Sequence, residues 1–376
     1  MRSTLFSMSM TMALFAGLPV AQAGEVDPFL AEEPISRVQY SVPGNFSAPD
    51  EPGVVDLSES GFDDMSQAWD QQVVPQEHWF DLPKYGMYFQ GDALWLARIH
   101  SVDRPLVVTL PPGSQTVLTA QDAPLTDFYR PGMMLTLGYR IDQVSAFEFT
   151  YFGLNEWNSS ATAASPAGNL GLAGTLQTTT QDFIFADRIT FEYGSSIQNA
   201  EANYKQTIEG LTLLTGFRYF SLTEAVNINS HSALFNEASD YHVTAFNRLV
   251  GWQFGAGYGR QWGRLNVGIL GKIGVFANLA SQTTLLRDFG NTFTDRDYRA
   301  ETTPVSVLGE AIFNASYQVF DWLLIRGGYR FIGVDNVALG PDQLDLNAPA
   351  LNRRQSVQAH EYLLLHGFNA GFEIRW

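Results

Sequence analysis

The sequence predicts an all-β chain: a transmembrane antiparallel up-and-down β-barrel of about ten strands, preceded by a disordered N-terminal segment. Three observations predict it. Long runs alternate apolar residues with small or polar ones at period two. Short connections between these runs alternate with long ones. Beyond the leader, no stretch approaches about 18 uninterrupted apolar residues, so a membrane crossing would need a closed barrel, in which every backbone amide is paired.

The clearest run is Leu265–Asn278. Leu265, Val267, Ile269, Gly271, Ile273, Val275 and Ala277 form a face without a polar side chain, opposite Asn266, Gly268, Leu270, Lys272, Gly274, Phe276 and Asn278. At about 3.3 Å per residue it extends roughly 40 Å, enough to cross a hydrocarbon layer of about 30 Å when tilted. Its second face is rich in glycine and poor in charge, which suits a crowded lumen better than the solvated face of a soluble sandwich. The run before it, Asn247–Tyr258, repeats the pattern with Val250, Trp252, Phe254, Ala256 and Tyr258, and the turn is expected at 259–263. Together they read as a long hairpin with its greasy side outward.

The other strands follow in order. Tyr85–Ile99 places Met87, Phe89, Trp95 and Ile99 on one face and Gln90, Asp92 and Arg98 on the other. The connection 101–130 contains a run expected to fold back as a small hairpin about Pro111-Pro112-Gly113. Met133–Ile141 and Ser145–Tyr151 carry apolar sets of the same parity, so their turn should hold three residues, 142–144. The Ser-, Thr-, Ala- and Gly-rich stretch 157–187 reads as a long exposed loop. Arg188–Tyr204 loses its phase near Ser195-Ser196, where a bulge or bend is expected. Leu211–Thr223 recovers the alternation, and loops are expected at 224–239 and 281–300. Thr303–Val319, a tight turn near Asp321, and Leu323–Phe331 form the next hairpin. After a loop at 334–360, Tyr362–Trp376 closes the count at ten. Short turns on one side, long loops on the other and an even strand number put both chain ends in the periplasm.

Composition sets the domain limits. The chain has 376 residues, net charge −17 and no cysteine, which excludes a disulfide framework. Residues 1–23 have the features of a secretory signal peptide: Arg2, an apolar stretch and Ala21-Gln22-Ala23, with cleavage expected after Ala23. In 24–83 the acids Glu25, Asp27, Glu32, Glu33, Asp50, Glu51, Asp56, Glu59, Asp63, Asp64, Asp70, Glu77 and Asp81 face the single base Arg37, and prolines interrupt the segment. It reads as a solvated periplasmic tail, with a plug or a partner-binding segment as the alternative. The barrel domain is 84–376. The acidic balance argues against nucleic acid as a partner, since phosphate binding needs clustered Lys and Arg.

Several stretches resemble the beta-barrel porin-7 family of bacterial outer-membrane proteins. They are SSIQNAEANYK (195–205), LLTGFRYFSLTE (213–224), GWQFGAGYGRQWGRLNVGILGKIGVFAN (251–278), IRGGYRFIGVDNVALGPDQL (325–344) and HGFNAGFEIRW (366–376). The resemblance runs from about Tyr85 to the end. It implies localisation as an outer-membrane barrel, with membrane lipid as surroundings, and supplies no substrate or site residues. The ending in Trp376, with apolar residues alternating before it, looks like the signal read by the outer-membrane assembly machinery.

The lumen set expected from parity is Arg140, Glu148, Glu201, Asn203, Arg218, Lys272, Glu310, Asn314, Arg326, Arg330, Glu373 and Arg375, with Arg330 diagonal to Glu310. Both charge signs are present. One reading is an ion-pair network that fills the lumen, since buried charges must be paired or wetted. The alternative is a constriction in a porin-like channel for small hydrophilic solutes. Trp95, Trp252, Trp322 and Trp376 are expected at the lipid interface. His100, His231, His242 and His360 fall in or beside long loops, with Glu361 next to His360. No nucleophile lies at a defined spacing from them, so the chain is expected not to be an enzyme. Asp288, Asp295 and Asp297 match no calcium-loop spacing and read as a solvated face. No phosphate-cradling motif is present. Neither metal nor cofactor is expected.

Overall fold

In the computed structural model, residues 86–99, 102–110, 115–126, 128–142, 144–176, 183–208, 211–288, 290–347 and 356–376 are described. The expected signal peptide (1–23) and acidic segment (24–83) lie outside them. The strands are β1 (Gly86–Arg98), β2 (Pro105–Thr109), β3 (Thr116–Thr119), β4 (Arg130–Arg140), β5 (Ser145–Leu154), β6 (Trp157–Ala164), β7 (Leu170–Leu172), β8 (Ile184–Ala186) and β9 (Arg188–Ile208). They continue with β10 (Leu211–Ser232), β11 (Glu237–Trp262), β12 (Leu265–Asn278), β13 (Ala280–Asp288), β14 (Phe293–Thr302), β15 (Val305–Phe320), β16 (Leu323–Val337) and β17 (Glu361–Arg375).

Ten of these close an antiparallel barrel in the order β1-β4-β5-β9-β10-β11-β12-β15-β16-β17, and β17 pairs back to β1. Closure leaves no strand edge in the wall. Chain order and spatial order agree, as in an up-and-down barrel. The short turns after Arg140, Trp262 and Phe320 lie at one end, here the turn end, with Gly86 and Trp376. The long connections lie at the other, the loop end.

Local chemistry fixes the turns. Ile141 N donates to Ser145 O at 3.0 Å, which leaves the three-residue turn that parity requires. Asp142 Oδ1 accepts from Val144 N at 2.8 Å and Ser145 N at 2.7 Å. The Val144 amide in particular holds the Asp142 carboxyl below its ordinary range. The turn expected at 259–263 is shorter: β11 runs to Trp262, which pairs with Leu265. Gly263 takes φ +61°, a conformation that two-residue hairpin turns reserve for residues such as glycine.

Near the turn end the wall faces hydrocarbon. Ile273 and Val275 are each 60 % exposed, and Trp252, Phe254, Ile325 and Trp376 also point out. The inward positions at this level include the polar or small Gly251, Gln253, Gly255, Lys272, Gly274 and Arg326, with the apolar Leu214, Leu270 and Ile312 among them. Higher up, this arrangement inverts. On β10 the outward residues are Leu211, Leu213, Phe217 and Tyr219, followed by Ser221, Thr223, Asn227 and Asn229. Its inward residues change from Gly216 and Arg218 to Phe220, Leu222, Val226 and Ile228, all four fully buried. The neighbours change at the same height: Ser221 lies opposite Gln198 of β9 and Arg248 of β11. Above that row Phe191, Tyr193 and Ile197 of β9 and Tyr241 and Val243 of β11 face inward. Alternation therefore continues, while the apolar set moves to the opposite face.

This inversion accounts for the differences from the expected loops. The loop expected at 224–239 is instead strand continuing to Ser232, a turn at 233–236, and strand from Glu237. The loop expected at 281–300 is the hairpin β13–β14, with β13 extending the wall beside β11. The exposed loop expected at 157–187 contains β6, β7 and β8, and Trp157, Leu170, Leu172 and Phe183 are buried. The loop expected at 334–360 begins as strand to Val337 and then turns inward. The fold-back expected within 101–130 is present: β2 pairs with β3, and both join β7 and β8 in a four-stranded sheet.

The irregularity expected at Ser195-Ser196 falls on the opposing strand. β9 pairs with β10 without a shift throughout its length. On its other side Gly153 of β5 faces Gln198, whereas Trp157 of β6 faces Ser195. Four steps along one chain thus match three along the other, so the extra residue lies at 153–157.

Leu106 and Val107 of β2, Leu118 of β3, Leu172 of β7, and Leu339 and Leu344 of the inward segment join one apolar cluster with the wall residues Leu96, Phe191, Phe220, Ile332 and Leu365. The loop end of the bore is thus packed like the core of a water-soluble protein. Phe220→Ala is expected to cost about 3–5 kcal/mol, and Ser221→Ala, on the opposite face, under about 0.5 kcal/mol. Urea unfolding of the lipid-refolded barrel measures both, and equal costs would contradict the inversion.

Candidate functional site

Below the apolar core, the bore is crossed by charges from five strands. Arg218 on β10 is fully buried; its Nη1 lies 2.8 Å from Glu310 Oε2 on β15 and 3.5 Å from Glu201 Oε1 on β9. Its Nε donates to Asn199 Oδ1 at 2.6 Å. Lys272 on β12 reaches Glu201 at 2.9 Å and Glu310 at 3.4 Å. Arg330 on β16 meets Glu310 at 2.6 Å. Glu201 also accepts from Asn199, Asn203 and Gln253 at 3.1, 3.0 and 2.8 Å. Register places some of these groups together: Arg218 is directly opposite Glu201, and Lys272 directly opposite Glu310. β10 and β15 are not neighbours in the wall, so the Arg218–Glu310 pair spans the bore.

Between this layer and the turn end lies a cavity of about 120 Å³. Glu148 there pairs with Lys205 at 2.5 Å and accepts from the Tyr88 hydroxyl. Glu373 accepts from Gln90 Nε2 at 2.8 Å and Arg375 Nε at 2.6 Å. Arg326 stands 3.4 Å from Asp92 and 4.0 Å from Glu373.

A second polar cluster is enclosed by the apolar core. Arg98 Nη1 bonds Glu224 Oε1 at 2.6 Å, and Tyr193 donates to Glu224 Oε2 at 2.7 Å. Gly340 N donates to the same Oε2 at 2.7 Å, tying the inward segment to the wall. Glycine is needed there, because a Cβ at 340 would stand 2.7 Å from Val226 Cγ2. Asn247 makes a second tie, donating to Ala338 O at 2.8 Å and accepting from Ala338 N at 2.7 Å. Arg104 Nη1 donates to the carbonyls of Pro341 and Asp342 at 3.1 and 3.2 Å. Burial pushes the Asp342 carboxyl up to about 6, and nearby Glu361 adds to the effect.

The expected lumen residues Arg140, Glu148, Glu201, Asn203, Arg218, Lys272, Glu310, Asn314, Arg326, Arg330, Glu373 and Arg375 all sit on inward positions. Lys205, Glu224 and Gln253 were missed. Lys205 and Glu224 continue the inward parity of residues in the expected set, Lys205 following Asn203 and Glu224 lying three inward positions beyond Arg218, whereas Gln253 is on β11, which contributes no residue to that set. The histidines form no catalytic array with a nucleophile among the described residues. His231 bonds Asp187 at 2.8 Å, and that bond chiefly lowers the Asp187 carboxyl. His242 bonds Thr244, His360 stands 3.7 Å from Glu361, and His100 lies outside the described residues. Asp288 is buried rather than solvated, correcting that expectation.

No protein-family model matches the chain, and no curated protein matches it. The resemblance to the porin-7 family therefore stands only at the coarser level of a bacterial outer-membrane β-barrel. Among solved structures, the translocator domain of autotransporter NalP from Neisseria meningitidis is 9 % identical, with 84 % of this chain and 98 % of that one covered and a TM-score of 0.38. The outer-membrane protease OmpT from Escherichia coli is 7 % identical, with 78 % and 98 % covered and a TM-score of 0.38. The toluene transporter TbuX from Ralstonia pickettii is 8 % identical, with 78 % and 90 % covered and a TM-score of 0.29. At these values the likeness is one of barrel architecture alone. The expectation that the chain is not an enzyme is corrected: a protease is among these barrels, and the fold alone does not decide enzymatic activity.

Two predictions follow from the two clusters. Glu310→Gln leaves Arg218, Lys272 and Arg330 short of a buried counter-charge and should cost about 3–5 kcal/mol; urea unfolding measures it, and a cost under about 1 kcal/mol would contradict the pairing. Asp342 is surrounded by Glu361, Arg104, His360 and Glu224. Its raised folded-state value means the docked segment is favoured fully below the ordinary value of 3.8 and loses that contribution as pH rises through about 6. Hydrogen exchange at Gly340 and Leu344, corrected for intrinsic rates, should be slower at about pH 5 than at about pH 7.5, and Asp342→Asn should abolish the difference. An unchanged difference in the variant would contradict the assignment.

Proposed function

We propose that this chain is an outer-membrane barrel with a sealed, largely filled lumen, and that its role is structural or surface-interacting. One observation carries this reading. Any solute path along the bore meets two barriers in series, the cross-bore ion pairs around Arg218 and Glu310 and then the dry core of Phe220, Leu339 and Leu344. Opening the first separates buried charges, and opening the second exposes apolar surface.

In this reading a leader cleaved after Ala23 exports the chain. The turn end and the acidic segment 24–83 face the periplasm, and the final strand ending in Trp376 presents itself to the assembly machinery. The loop end projects outside the cell. There the walls of β9, β10 and β11 rise above the apolar belt with Glu192, Asn227, Asn229 and His242 outward. That tall polar face supports surface interaction. The refolded full chain in planar bilayers is expected to give no open-channel steps. Reproducible steps would overturn the sealed lumen and favour a porin-like channel for small hydrophilic solutes.

A further inference from the structure

We infer that the cavity at the turn end is a binding site for a small oxyanion, of the phosphate or short-dicarboxylate class. Among the described residues, the inward side chains of the wall below the apolar core carry seven bases, Arg140, Lys205, Arg218, Lys272, Arg326, Arg330 and Arg375, against five acids. The acids are Asp92, Glu148, Glu201, Glu310 and Glu373. The chain as a whole has a net charge of −17, so this positive excess is local.

The excess has an address. Five of the bases, Lys205, Lys272, Arg326, Arg330 and Arg375, line the cavity, with only Glu148 and Glu373 among the acids. Three guanidinium groups there have unused donors. Arg330 Nε is buried and has no hydrogen-bond partner. The Arg375 guanidinium engages Glu373 through Nε at 2.6 Å, and among the described residues its two terminal nitrogens have no hydrogen-bond partner. Arg326 touches carboxylates only loosely, at 3.4 and 4.0 Å. Planar N–H forks presented to one space are the geometry that binds carboxylate and phosphate oxygens. The cavity volume of about 120 Å³ is several times the roughly 30 Å³ share of one water. Glu201 and Glu310 anchor its inner wall through Lys272 and Arg330.

The site relies on the sealed-lumen reading only for its topology: the ion-pair layer makes the cavity blind, so the anion binds and leaves by the turn end. Calorimetric titration of the full chain in detergent micelles tests binding separately from conductance. Inorganic phosphate and succinate are titrated at constant ionic strength with chloride as the balancing ion. The expected result is saturable binding, with one site per chain, of at least one of the two, weakened at least tenfold in both Arg326→Gln and Arg375→Gln. The arm that saturates identifies the oxyanion. Should Arg326→Gln fail to fold, Asn314→Asp supplies an internal carboxylate to the cavity and should abolish the binding. No saturation with either anion, or binding unchanged in the folded variants, would overturn the inference.

Discussion

A strand commits alternate residues to alternate faces, and a barrel wall that passes from hydrocarbon into water cannot keep its apolar residues on one face throughout. In the membrane the outer face must be apolar, because nothing there solvates a polar side chain. Above the membrane the outer face meets water, and burial is available only inside. The β10 sequence meets both demands by switching parity between Tyr219 and Phe220, and the switch is shared laterally by Gln198, Ser221 and Arg248. The backbone ladder runs through the boundary without a break, so one continuous strand serves two solvents.

The two halves of the bore then require different fillings. Below the switch the inward charges become stable by mutual neutralisation: Arg218, Lys272 and Arg330 share Glu201 and Glu310, and the Arg218–Glu310 and Lys272–Glu201 pairs join strands that are not neighbours. Above it the inward set is apolar and needs a partner. The sheet of β2, β3, β7 and β8 and the segment after Val337 supply one. The buried Arg98–Glu224 pair and Asn247 fix where that segment sits. In the proposed reading, these two layers, one of ion pairs and one of apolar side chains, seal the lumen in series.

The strand count, the closed antiparallel order and the inward positions near the turn end were legible in the sequence, because there the apolar set keeps one parity over long runs such as Val267, Ile269, Ile273 and Val275. The upper wall was misread for the same reason. Phe220, Leu222 and Val226 are as apolar and as regular as the lower residues, but they appear at the opposite parity, and a reading that follows a single greasy face ends the strand where the phase changes. Leu170, Leu172 and Phe183 were submerged in a Ser- and Gly-rich background whose composition resembles a surface loop. Lys205 and Glu224 needed only the inward parity carried a few residues further. That Arg218 would pair across the bore with Glu310 depends on strand order and barrel closure, which no local pattern carries.

The inversion is tested most directly along one face of one strand. The chain has no cysteine, so single spin labels at Leu213, Phe217, Ser221, Thr223 and Asn227, all outward on β10, report depth in lipid vesicles by comparing oxygen with a water-soluble relaxation agent. Positions 213 and 217 are expected to be accessible to oxygen and shielded from the aqueous agent, while 221, 223 and 227 are expected to show the reverse. A single lipid-like profile over all five positions would mean that the wall does not change solvent at this height and would contradict the account.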